Sequence, residues 1–183
     1  MSLLTARLSA MMFLQFFIWG AWYVTVGNYM SAYGMADWIG MAYTVGPIAA
    51  IISPFFLGMI ADRFFATERV LGVMHILGGL AILCAPFAAA VSPLVFTLTI
   101  FVHMLCYLPT LALTNKLAFH HLENQEQDFP IIRVSGTIGW IAAGAVGDLG
   151  RLQEGFLGLW RIPEIALHVG HLGAGDGVRV DVV

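Results

Sequence analysis

The chain has 183 residues; 60% are hydrophobic, only 10% are charged, and the formal net charge is −3. Soluble domains carry roughly 25% charged residues, so this composition excludes a purely water-soluble globular protein. The acidic balance, with no basic patch, excludes a nucleic-acid binder.

Arg7 precedes the first of four apolar runs, which cover 8–30, 39–61, 70–90 and 93–115. A helix needs about 20 apolar residues to cross ~30 Å of hydrocarbon at ~1.5 Å per residue, and each run meets that length. None alternates as a barrel strand does, so the spanning structure is helical. The first run is too long for a signal-peptide core of roughly 7–15 residues and no clear small-x-small cleavage site follows, so it is a membrane helix. Cys84 and Cys106 lie inside apolar runs and read as small hydrophobes rather than as a disulfide or metal pair.

The connections are short and their charge is one-sided. Arg7, Arg63, Arg69, Lys116 and Arg133 all fall on one side of the implied membrane, while 31–38 and 91–92 hold no Lys or Arg. Positive loops stay in the cytoplasm, which predicts a cytoplasmic N-terminus. The polar stretch 117–129 contains His120-His121-Leu122-Glu123, lacks a metal-ligand spacing and is expected to be a solvated cytoplasmic loop. After Pro130 a fifth helix is expected over 131–147. Its apolar part, 134–147, spans only ~21 Å at the helical rise.

Polar side chains inside hydrocarbon are costly and normally face the bundle interior or a water-filled path. On a wheel of about 100° per residue, Gln15, Trp19, Trp22 and Tyr29 form one stripe of the first helix. His103, Tyr107, Thr110 and Thr114 share a side of the fourth, with Asn115 nearby. On the fifth, Arg133, Thr137 and Trp140 share a face, beside a small-residue stripe of Gly139, Ala143 and Gly147 suited to close packing. Three such stripes imply a shared polar cavity, with rings to stack a flat ligand, hydroxyls and amides to orient it, and one guanidinium. For the single Thr and Tyr residues, hydrogen bonding between helices is the plainer alternative. His103, about 15 Å deep by the helical rise, is a candidate proton carrier; a neutral ring bonded to a neighbour is the competing reading.

Gly58-Met-Ile-Ala-Asp62-Arg63, between the second and third helices, resembles the loop signature of the major facilitator superfamily. Where that superfamily usually continues with Gly and basic residues, Phe65-Ala66-Thr67 follow here. Three further segments are similar to the nucleoside:proton symporter branch: Phe13-Leu-Gln15-Phe-Phe-Ile-Trp19-Gly-Ala-Trp22, Tyr107-Leu-Pro-Thr110-Leu, and Asp128-Phe-Pro-Ile-Ile-Arg133-Val-Ser-Gly-Thr137-Ile-Gly-Trp140. The resemblance covers about 1–147. It implies an all-α polytopic membrane protein of the bacterial inner membrane, corresponding to a truncated N-terminal half of a major facilitator bundle with four full membrane helices and a shortened fifth. It further implies proton-coupled nucleoside transport, with nucleoside and proton as partners and no cofactor. Arg133, Thr137 and Trp140 are the nucleoside contacts it carries over, joined by Gln15, Trp19, Tyr107 and Thr110 from the wheel. Gly58, Asp62 and Arg63 are the structural loop motif.

After 147 the character changes. Seven of the 35 residues from 149 to 183 are charged, against twelve of the preceding 148, and no run there is long and apolar enough to span. Residues 148–183 are therefore expected to be a non-native or disordered tail, and the chain alone to be inactive for want of a second transporter half. Transport of another small polar solute, such as a sugar, stays open, as does a non-transporting membrane protein. No His-Glu-x-x-His, Gly-x-Ser-x-Gly or paired membrane carboxylates point to an enzyme.

Overall fold

The computed structural model describes residues 3–64 and 66–148, except for the side chains of 56–64 and of 147–148. The expectation for the tail therefore lies outside the described residues. Gly58, Asp62 and Arg63 fall within a described helix, but their side chains do not belong to the described set.

Among the described residues every element is helical. α1 (Leu3–Tyr23) is followed by the short α2 (Val26–Ala32) and a 3-10 turn at Ala36–Trp38; then come α3 (Ile39–Phe64), α4 (Thr67–Val91), α5 (Pro93–His121) and α6 (Gln125–Asp148). Five stretches are long and apolar enough to cross a membrane: Leu3–Ala32, Ala36–Phe55, Thr67–Val91, Pro93–His121 and Gln125–Val146. Their outward faces are apolar. Leu14, Ile51, Phe55, Ile76, Leu83 and Ile141 are all exposed, which hydrocarbon tolerates and water does not.

The helices are longer than their apolar runs. α5 continues through His121 and α6 starts at Gln125, so the expected loop over 117–129 contracts to three residues, 122–124. Helical hydrogen bonding needs no apolar side chains, so α6 starts before Pro130 rather than after it; Pro130 lies inside the helix, where the Glu126 carbonyl loses the N–H it would accept from. The polar turn Gln125–Pro130 brings α6 to 24 residues. α5 opens on Ser92-Pro93: the Ser92 hydroxyl accepts from the Val95 N–H at 3.2 Å, and proline occupies the first turn.

One expected helix is broken. The run 8–30 divides at Val24-Thr25, where Thr25 N turns to the Trp22 carbonyl at 3.2 Å, a tighter spacing than the α-helical one. The Thr25 hydroxyl folds back to donate to the carbonyls of Ala21 and Trp22, both at 3.1 Å. It thereby occupies acceptors at the end of α1 instead of capping α2. Gly34, at φ +70°, turns the chain toward the 3-10 element, a conformation that glycine adopts without a Cβ clash.

α5 is the central helix, packed along α4 and α3, while α1 lies along α6. The α1–α6 contact depends on absent side chains. A Cβ on Gly139 would strike the carbonyl of Phe13; one on Gly136 would lie 2.7 Å from the Phe16 ring; one on Gly20 would lie 2.9 Å from the Ala143 Cβ. The main core gathers Trp22, Val26, Tyr29 and Met30 against Ala42, Val45, Phe96, Ile100 and Met104.

Candidate functional site

α1 brings four large polar or aromatic side chains to the junction of the other helices, because Gln15, Trp19, Trp22 and Tyr23 fall at near-helical repeats along its inner side. The sequence-predicted residues divide there into two groups.

The first is a hydrogen-bonded node. Gln15 is buried, and its amide Nε2 donates to the Thr110 hydroxyl on α5 at 2.6 Å. Its Oε1 lies 2.9 Å from His75 Nε2 on α4. His75 Nδ1 lies 2.9 Å from the Leu71 carbonyl, one turn back on its own helix. The Tyr107 hydroxyl donates to the Gln15 backbone carbonyl, and Thr110 donates to the Tyr107 carbonyl. Tyr107 and Thr110 are fully buried, and Thr114 beside them donates to the Thr110 carbonyl at 2.9 Å. The node thus clamps three helices with polar atoms that are already engaged. Sequence reasoning missed His75. Its signal was present: apart from Cys84, it is the sole ionisable residue in the apolar run 70–90.

The second group is an aromatic wall. Trp19 and Trp140 meet edge to face at 5.2 Å, Trp19 and Tyr23 at 5.8 Å, and Tyr23 and Tyr43 at 5.1 Å. The Tyr43 hydroxyl donates to the Tyr23 carbonyl at 3.1 Å, tying α3 to the end of α1. These rings are half-buried and so keep one side free. Trp19 also touches Tyr107 at 6.2 Å, which sets wall and node side by side. The indole nitrogens of Trp19 and Trp22 are buried without a hydrogen-bond partner, an uncommon state for a buried donor.

Arg133 and Thr137 sit on the exposed side of α6, below Trp140. The guanidinium lies over the Phe16 ring, 4.7 Å from its centroid, and among the described residues no carboxylate pairs with it. An unpaired cation and a hydroxyl on the open side of a membrane-spanning helix call for water or a second protein surface rather than lipid. Gly136 and Gly139, on the adjoining face, are buried against α1, so α6 cannot turn these polar groups inward.

His103 packs against the node through Tyr107 but makes its hydrogen bond elsewhere. Its Nδ1 lies 2.8 Å from the Gly78 carbonyl, which α4 offers where it has no side chain, and its Nε2 is buried without a partner. The ring is stacked on Tyr107 at 5.5 Å and capped edge-on by Trp22 at 5.1 Å.

Fold and site together define an all-helical, multi-pass membrane bundle of the major facilitator kind. The family model described as Nucleoside H+ symporter matches residues 1–153, and the chain belongs to that family. It is 46% identical over 142 residues to YegT of Escherichia coli (strain K12), covering 76% of this chain and 33% of that protein. Nucleoside permease NupG of the same organism is 34% identical over 163 residues, covering 86% and 38%. Xanthosine permease, also from that organism, is 37% identical over 143 residues, covering 75% and 34%. A crystal structure of a point mutant of the nucleoside transporter NupG superposes with a TM-score of 0.78 at 32% identity, covering 86% of this chain and 40% of that one. The chain spans about a third of the length of the curated relatives it matches.

Proposed function

We propose that the chain forms one wall of a proton-coupled nucleoside carrier, a transporter rather than an enzyme. The observation that carries this reading is the juxtaposition on α6 of Arg133, Thr137 and Trp140, with Trp19 of α1 against the last of them. A nucleoside offers a flat base to stack and a hydroxylated sugar to hydrogen-bond. The half-buried rings suit the first, and the open guanidinium and hydroxyl suit the second. Family membership supports the same substrate and the same coupling ion. Because the matched segment covers only about a third of each relative, the substrate lies between this wall and a second bundle, with alternating access by rocking of the two. The membrane is a bacterial inner membrane and the N-terminus is cytoplasmic, the latter supported by the one-sided positive charge.

The test joins residues 1–147 to all of NupG that follows the segment matching them and measures labelled-nucleoside uptake in cells lacking their own carriers. Arg133→Ala removes a charge-assisted donor, a loss of ~1.5–3 kcal/mol or roughly 10- to 150-fold in apparent affinity, at unchanged surface expression. Normal uptake by a well-expressed Arg133→Ala chimera would show that this arginine does not hold substrate.

A further inference from the structure

Four links join α4, α1 and α5 in series. They run from the Leu71 carbonyl to His75 Nδ1, from His75 Nε2 to the Gln15 side-chain amide, from that amide to the Thr110 hydroxyl, and from that hydroxyl to the Tyr107 carbonyl. Both ends are backbone carbonyls, which only accept. Each link needs one hydrogen. The Thr110 hydroxyl supplies one, and the amide supplies one, since its oxygen and nitrogen ends face different links. A neutral imidazole supplies a third. Three hydrogens serve four links.

Turning the amide over does not change the sum. With Oε1 toward His75, a neutral ring fills either the Leu71 link or the Gln15 link, according to its tautomer, and the other lacks its hydrogen. With Nε2 toward His75, Thr110 must donate to Gln15 and the link to Tyr107 opens. Only an imidazolium, protonated on both nitrogens, fills all four at once. We infer that His75 is a proton-binding site, and that the Gln15 amide turns over when the proton leaves, rewriting the contacts between α1, α4 and α5.

The surroundings fit a charge that comes and goes. The half-buried ring puts both nitrogens on oxygen acceptors, and the Tyr107 ring meets it edge to face at 6.0 Å. Among titratable and charged groups on neighbouring elements, α5 contributes Tyr107, His103 and Cys106 around Gly78. α3 contributes Tyr43, which is turned to the Tyr23 carbonyl, and α1 presents the neutral Gln15. Arg133 of α6 lies over Phe16, next to Gln15 in sequence. His103 has no such demand: its single link, to Gly78, is filled by one hydrogen, so a neutral ring suffices. That this proton drives uptake rests on the carrier reading above; proton binding at His75 does not.

The full 183-residue chain, labelled with ¹⁵N-histidine in lipid nanodiscs, tests this by nitrogen NMR, with the His75 signals assigned through His75→Gln. The expected result is a His75 state that carries hydrogen on both nitrogens. Thr110→Val does not touch the ring, yet it frees the amide to donate to Nε2 and lowers the doubly protonated fraction several-fold. Thr110→Ser, which keeps the hydroxyl, restores it. A His75 that stays singly protonated from roughly pH 5 to 8, or a Thr110→Val variant with an unchanged fraction and an intact His103 signal, would overturn the assignment. No nucleoside enters the measurement, so its outcome is independent of uptake by the chimera.

Discussion

Trp19 and Trp140 come from helices that touch along glycine, and their edge-to-face meeting leaves one aromatic side open. In the chimera with NupG, Trp140→Ala weakens nucleoside binding by ~0.5–1.5 kcal/mol through lost stacking, about two- to tenfold. Trp140→Phe keeps most of the affinity, because the stacking surface survives; equilibrium binding of a labelled nucleoside reads both. The wheel placed Gln15, Tyr107 and Thr110 on inward faces, and all three are buried inward. It did not separate them from Arg133 and Thr137. Periodicity gives the direction in which a side chain leaves its helix, whereas its use depends on the partner it meets. Gln15 meets Thr110, 95 positions away, and His75, 60 positions away. Neither distance leaves a trace in local spacing. Among the described residues Arg133 meets the Phe16 ring, and its open side follows from the glycines of the adjoining face, which are packed against α1.

The α1–α6 contact is a place where one methyl group matters. Gly139→Ala puts a Cβ into the Phe13 carbonyl, a backbone atom that cannot swing aside, and the helices must part. The expected cost is about 1–3 kcal/mol, read as a lowered melting temperature in detergent. Gly79→Ala and Gly144→Ala meet nothing within 4 Å and serve as controls. Each is neutral or stabilising by up to about 1 kcal/mol, since alanine favours helix over glycine. Hydropathy made the existence of the helices legible but not their ends. Polar residues such as His120, His121 and Gln125 continue a helix as readily as they form a loop, so α5 and α6 run past the apolar runs. The break at Val24-Thr25 carries no glycine or proline. It arises from a threonine hydroxyl competing for carbonyls, which many threonines in intact helices also do.

Across the whole molecule, the proposed orientation rests on the one-sided charge. A reporter fused after Lys116 is expected to be cytoplasmic and one fused at Val91 external, as read by paired alkaline phosphatase and fluorescent fusions. Reversed signals would overturn the cytoplasmic N-terminus. The composition that excluded a soluble protein reappears as the exposed apolar faces of α3 and α4, where Ile51, Phe55, Ile76 and Leu83 point outward.

The interrupted first span divides one strand of chain between two mechanical neighbours. Below Val24, α1 lies against α6, where Gly136 and Gly139 admit its backbone and Phe16, and holds α4 and α5 through Gln15; above Thr25, Val26, Tyr29 and Met30 are embedded with α3 and α5. A rigid rod would force both ends to travel together. The break at Val24-Thr25 removes that constraint, because no continuous helical ladder couples the tilt of α1 to that of α2.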